Sequence, residues 1–177
     1  IRGAIRDAFN KTSYVLGDKS YNAENAGGAN AFINVTHHVS LNPGNITVCA
    51  WAKRTGLGDG NSFQVIAAKF QCCSIPNYGW ALYFSTETTT IKWEIDGVTG
   101  SAVTYAVGAN NIINWHHYCG IYNSVGIELF VDGVSRGTGV GDMNQADNIA
   151  DILIGIDTDG SGTLLDGDFE GQIDEFA

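Results

Sequence analysis

The sequence predicts an all-β protein, a two-sheet antiparallel sandwich of the jelly-roll kind. Three observations carry that expectation. Short runs rich in Val, Ile, Tyr, Phe, Trp and Thr recur along the 177 residues. Clusters of Gly, Asn, Asp and Ser separate them at the regular spacing of sandwiches and jelly rolls. No long stretch shows helical period.

Residues 1–30 read as a loop-rich N-terminal segment, with NAENAGGANA at 22–31 carrying no strand pattern. Residues 31–177 read as the sandwich, and with no repeat or linker the chain is one domain. Strands are predicted at 31–35 (AFINV), 46–54 (ITVCAWAKR), 63–69 (FQVIAAK), 79–85 (GWALYFS) and 90–96 (TIKWEID). They continue at 102–107 (AVTYAV), 115–122 (WHHYCGIY), 126–132 (GIELFVD), 134–140 (VSRGTGV), 151–156 (DILIGI) and 169–176 (FEGQIDEF). Turn signals divide them: PGN at 43–45, GLGDGN at 56–61, DGVTG at 96–100, NSVG at 123–126 and DGV at 132–134. Residues 115–140 read as consecutive antiparallel hairpins, with Asp132-Gly133 as a two-residue tight turn.

The chain carries 9 Lys and Arg against 19 Asp and Glu, a net charge of −10. That balance argues against nucleic acid and anionic membrane as partners. No apolar run approaches the ~18 residues of a membrane span. No basic-then-apolar leader opens the sequence, so it reads as a soluble piece, processed or cut from something longer. The ending GQIDEFA falls in what reads as mid-strand, which points the same way. Residues 1–136 sum to zero charge; residues 137–177 hold ten acids and no base. Either that quarter is a solvated acidic face or a cation sits in it.

The strongest local signal lies there, in DTDGSGTLLDGD at 157–168. Asp157, Asp159 and Ser161 stand at positions 1, 3 and 5 of a calcium loop. Gly162 takes the sharp-turn position, Thr163 offers its carbonyl at 7, and Asp168 stands at 12. Hard Ca²⁺ wants many oxygens, and alternating short carboxylates on a Gly-bent loop can wrap it. The flanks read as strands, so this is a calcium loop set on a sandwich, or else a solvated acidic hairpin.

Read in order, NITVCAWAK, NWHHYCGIYNSVGIELFVDGVSRG, ILIGID and FEGQIDEFA resemble the successive core strands of laminin-G-like jelly rolls, within the concanavalin A-like lectin and glucanase superfamily. FINVTHHVSL resembles the strand before them, so the likeness spans roughly 31–177. The pentraxin-like branch is the nearest in its two strand cysteines, and the match departs at Cys72-Cys73. The resemblance implies a concanavalin A-like jelly roll. It also implies calcium bound through acids after the ILIG strand, here Asp157 and Asp159.

The same resemblance makes the strands of Cys49 and Cys119 adjacent and implies a disulfide between them; two buried free thiols are the alternative. No Cys spacing fits a structural zinc. Cys72 and Cys73 are uncertain thiols: they close a strained ring, pair outside this chain, or bond a neighbouring molecule. Sequons at Asn10, Asn34 and Asn45 offer glycosylation sites, Asn45 the best placed after its Pro-Gly turn. Cysteines and sequons together point to a secreted or surface-displayed protein.

Glucanases of this superfamily carry E-x-D-x-x-E or E-x-D-x-E, and Glu94 and Asp96 match its first two places. Val98 and Thr99 occupy both places open to the acid, so the second carboxyl that retaining hydrolysis requires is missing and no catalysis is expected. His37-His38 and His116-His117 are expected on opposite faces of a strand, unable to chelate as pairs. Trp51, Trp80, Trp93 and Trp115 are expected in strands and in the core, with one of them free to serve as a sugar-stacking platform. The expected function is a non-catalytic, calcium-supported carbohydrate-binding or adhesion module of an extracellular protein. Its partners would be a glycan or other extracellular ligand and the further domains of its parent. The alternatives are an assembly domain of a surface filament, coat or matrix, and a glycosidase of the same fold.

Overall fold

A computed structural model describes residues 21–22, 32–55, 63–71, 78–85, 89–96, 101–143, 148–158, 164–167 and 169–177. Fourteen strands lie in them. They are β1 (Tyr21–Asn22), β2 (Ile33–Val35), β3 (Ile46–Arg54), β4 (Phe63–Gln71), β5 (Tyr78–Ser85), β6 (Thr90–Asp96) and β7 (Ser101–Ala106). After these come β8 (His116–Tyr122), β9 (Ile127–Val131), β10 (Val134–Gly139), β11 (Ile152–Ile154), β12 (Asp157–Thr158), β13 (Leu164–Asp166) and β14 (Gly171–Asp174). Two six-stranded sheets form the sandwich, in the orders β1-β14-β3-β8-β9-β10 and β2-β11-β4-β5-β6-β7, and β12-β13 is a separate small ladder. Every described pairing is antiparallel.

Period-two burial builds the interior. On β3, Val48, Ala50, Ala52 and Arg54 are buried while Cys49, Trp51 and Lys53 are half-buried. On β6, Ile91, Trp93 and Ile95 point in, and the residues between them do not. The facing aromatics interlock across the sheets: Phe84 meets Tyr118 edge-to-face at 5.4 Å, and the Trp93 indole N–H donates to the Ile121 carbonyl at 3.1 Å. Gly120 makes room for this. A Cβ there would stand 2.1 Å from the Trp93 ring. The predicted Asp132-Gly133 turn closes β9 onto β10, both residues at positive φ (54° and 73°), as the hairpin twist demands.

One irregularity decides what faces outward. The β4–β5 register shifts between Val65 and Ala67, so Ile66 and Ala67 both enter the core. The alternation then resumes in the opposite phase. Phe63 and Val65 before the bulge, and Ala68 and Phe70 after it, share the outer face, and Lys69 turns inside with no exposed surface. Its amine is held by the Ala150 carbonyl at 2.8 Å and Asn148 Oδ1 at 3.2 Å. Burial lowers Lys69 from 10.5 to about 8, with Asp151 pulling the other way.

Several expectations need correction. His37 and His38 lie beyond the end of β2; His38 caps a 3₁₀ turn (Val39–Leu41) by accepting from the Ser40 N–H. Trp115 precedes β8 instead of lying in it, and only Trp80 and Trp93 are core residues; Trp51 and Trp115 are half-buried. Inside the segment read as loop-rich, Tyr21 and Asn22 pair with β14. Such an edge pairing uses backbone groups and needs no apolar run, so composition carries no trace of it.

Candidate functional site

The outer face of the second sheet carries a hydrophobic cluster separate from the core: Val65, Ala68 and Ala81, with Phe63, Phe70 and Tyr83 packed on them. Ala68 and Ala81 are direct cross-strand partners, and two small side chains opposite each other leave a depression between larger neighbours. A cleft of about 170 Å³ opens there, lined by Phe63, Val65, Phe70, Ala81, Tyr83, Glu94 and Asp157. Three strands and the start of the acidic loop contribute to it. Phe63 and Tyr83 meet edge-to-face at 5.7 Å.

The polar side of the cleft follows from register. Tyr83 pairs with Lys92, which sets Glu94 diagonally beside it, and the Tyr83 hydroxyl donates to Glu94 Oε2. Lys92 Nζ reaches the same oxygen at 2.9 Å and lies 5.3 Å from the Tyr83 ring centre. Burial first, then the bonded carboxylate of Glu94 and the charge of Asp157, push the Tyr83 hydroxyl well above the ordinary phenol range. It therefore stays a donor. Asp157 is 8% exposed and stands on the cleft's other side. Gly167, at φ 77°, ties the return of the acidic loop to the wall: its carbonyl accepts from the Val65 N–H at 2.8 Å. A Cβ at Gly167 would come within 2.7 Å of the Phe63 ring.

Of the residues expected to ligate calcium, only Asp157 lies among the described residues. Asp159, Ser161, Thr163 and Asp168 fall outside them. The ladder β12–β13 sets Asp157 opposite Asp166, bringing the two ends of the loop together as wrapping an ion requires. The sequence motif marks Asp157 as a loop ligand alone; the fold also places it in the cleft with Glu94. Asp157 and Glu94 thus line one cleft from different strands. No sequence motif marks Phe63, Phe70 or Tyr83. Their signal was that β4 and β5 are apolar on both faces, which suits a sheet covered on one side and used on the other.

Cys49 and Cys119 form a disulfide between directly paired residues of β3 and β8. It sits on the outer face of the first sheet, beside His117, whose ring lies 5.3 Å from that of Trp51. Cys49, His117 and Cys119 bring their ligand atoms within 4.8 Å of one another, but both sulfurs are committed to the bridge, so no metal is held there. His116 is bound at 2.7 Å to Asp132. Burial raises the Asp132 pKa, but the hydrogen bonds from His116 and the His117 N–H outweigh that and hold it below the usual carboxylate value. Asn34 and Asn45 are exposed; Asn10, Cys72 and Cys73 lie outside the described residues.

A laminin-G family model, described as the concanavalin A-like lectin/glucanases superfamily, matches residues 27–177. No curated protein sequence matches. Among solved structures, the CBM40 of the Ruminococcus gnavus IT-sialidase superposes with a TM-score of 0.59 at 14% identity, over 74% of this chain and 73% of that one. The same CBM40 was also solved bound to alpha2,3 sialyllactose. Domain 4 of an extracellular GH43 arabinanase from Geobacillus stearothermophilus, in complex with arabinotriose, gives 0.59 at 14% identity over 89% of this chain and 67% of that one. Mouse laminin alpha1 domains LG4-5 give 0.56 at 14% identity, covering 91% of this chain but only 36% of the laminin chain. At such identity the likeness is one of fold.

Proposed function

This chain belongs to the concanavalin A-like lectin/glucanases superfamily, and from that premise we propose that it is a carbohydrate-binding module whose ligand seats in the outer-face cleft of the second sheet. The cleft itself carries the proposal. Aromatic faces at Phe63 and Tyr83 suit the apolar C–H face of a sugar ring, and Glu94 and Asp157 suit its hydroxyls as acceptors. Apolar walls with a few placed polar groups are the usual make-up of a small-molecule site. Fold neighbours solved with sialyllactose and arabinotriose add support.

Calcium is the proposed cofactor, held by Asp157, Asp159, Ser161, the Thr163 carbonyl and Asp168, where it would offset the repulsion of the acidic quarter. The Asp157–Asp166 register supports this reading. An extracellular or surface setting, with adhesion as the role of the parent protein, is supported by the cross-strand disulfide and by sequons exposed at Asn34 and Asn45.

One observation favours a second reading, a glycosidase: two carboxylates line one cleft. We place binding ahead of it because a single Glu94 oxygen already accepts from both Tyr83 and Lys92. Glycan-array binding by the intact domain tests the first reading. Tyr83→Ala should weaken it by about 2 kcal/mol, ~30-fold. Binding that survives this change, or release of reducing sugar from the bound glycan, would sink it.

A further inference from the structure

We propose that reduction of the Cys49–Cys119 bridge turns it, together with His117, into a three-ligand zinc site on the outer face of the first sheet. Register puts the three side chains there. Cys119 and His117 stand two apart on β8 and share one face, and Cys49 is the residue of β3 directly opposite Cys119. Ladder pairing brings them together across 70 residues of chain, so no short motif marks them.

The distances suit zinc. The His117 ring nitrogens lie 3.7 and 3.8 Å from the Cys119 sulfur. In a tetrahedral site, Zn–S of ~2.3 Å and Zn–N of ~2.0 Å set sulfur and nitrogen ~3.5 Å apart. All three ligand atoms lie within 4.8 Å of one another. The Cα atoms of Cys49 and Cys119 are 4.2 Å apart, the close spacing of a non-hydrogen-bonded antiparallel pair. From that base, side-chain rotation alone carries two thiolates to the ~3.8 Å sulfur separation of a tetrahedral ion. Trp51 packs on the His117 ring at 5.3 Å and fixes where it stands. Among the described residues its nitrogens have no hydrogen-bond partner but the Cys119 sulfur. Cys49 is half-buried, so a reductant reaches the bridge from solvent.

The conversion balances with a dithiol as co-reactant. Its thiolate attacks one sulfur of the bridge, and its second thiol resolves the mixed disulfide. Two electrons and two protons pass to the protein as the dithiol closes to its own disulfide. Zn²⁺ then displaces both thiol protons to water, and neutral His117 supplies the third bond. Two thiolates cancel the charge of the ion, and sulfur with imidazole is a donor set zinc favours. Water or another donor takes the fourth position. The same face would thus tie β3 to β8 by a covalent bond in oxidising surroundings and by a metal in reducing ones.

The test uses the full chain with Cys72→Ser and Cys73→Ser, which leaves Cys49 and Cys119 as its only thiols. It is reduced with dithiothreitol, desalted without oxygen and titrated with Co²⁺, then Zn²⁺. The expected result is one Co²⁺ per chain, with sulfur-to-cobalt charge-transfer absorption and the strong visible bands of a tetrahedral site, displaced by Zn²⁺. The unreduced chain should take up none. Zn²⁺ should raise the melting temperature of the reduced chain, or refold it if reduction has unfolded it. His117→Ala should weaken binding at least ~100-fold, beyond the usual loss for an outer-shell partner. Absence of the charge-transfer band, or equal uptake by the unreduced chain, would overturn the site. Binding that His117→Ala leaves intact would overturn the third ligand. A reduced chain that Zn²⁺ neither stabilises nor refolds would show metal on loose thiols and overturn the proposal.

Discussion

Replacing both Cys49 and Cys119 by Ser isolates the contribution of the cross-strand bridge. The two cysteines are 70 residues apart in sequence, and the cross-link ties β3 to β8 in the unfolded chain as well as in the folded one. Loop-closure entropy for a span of that length gives a stabilisation of about 4 kcal/mol. Little else should change. The flanking pairs Val48–Gly120 and Ala50–Tyr118 keep the ladder, and the bridge lies outside the core, so two serines leave no core cavity. For a domain of this length each kcal/mol moves the melting temperature by ~2–4 °C, so calorimetry should record a fall of roughly 10–15 °C. Urea unfolding should also show a steeper slope, because the uncrosslinked chain exposes more surface. Substitution is the right perturbation here, since it leaves Cys72 and Cys73 untouched. A melting temperature within ~2 °C of wild type, with an unchanged slope, would refute the account of the bridge as a constraint on the unfolded chain.

Gly120→Ala forces a methyl against the Trp93 indole, and overpacking of this kind should cost about 1–3 kcal/mol of stability, read as a lowered denaturant midpoint; an unshifted midpoint would mean that the two sheets can part freely. Lys69 tests burial by pH. Its folded value is lowered, so between about 8 and 10.5 the unfolded chain holds a proton that the folded chain does not. Stability gained as pH rises through that window should reach at most ~3 kcal/mol, and Lys69→Met should remove the gain. A stability–pH curve of the same shape in both proteins would contradict the buried placement. For calcium, adding the ion should raise the melting temperature, and Asp157→Ala with Asp159→Ala should cancel the increment without unfolding the domain. Curves indifferent to calcium and chelator would leave only an acidic loop.

Strands with a simple alternation were legible from residue types alone. ITVCAWAKR and TIKWEID begin and end where β3 and β6 do, because each presents one apolar face to a single core. The Asp132-Gly133 turn was legible because few residue pairs accept two positive φ values in succession. The cleft was not. Its outline depends on the bulge in β4, a backbone event that FQVIAAKF does not announce; straight alternation would set Lys69 beside Phe63 and hide Phe70 inside. Its chemistry depends on bringing Asp157 to Glu94, a meeting of residues far apart in sequence that no local motif encodes. Trp51 and Trp115 lie half-buried outside the core for a related reason: a large aromatic in a strand pattern says nothing about which face it occupies.

The central claim is the location of the sugar site, and backbone amide chemical shifts followed through a glycan titration test it most directly. A neutral oligosaccharide that binds should perturb amides of β4, β5 and β6 around Phe63, Tyr83 and Glu94, together with Asp157, and leave Trp51, Trp115 and His117 unmoved. Shifts gathered instead around Trp51 and His117 on the other sheet, with the cleft residues silent, would contradict it.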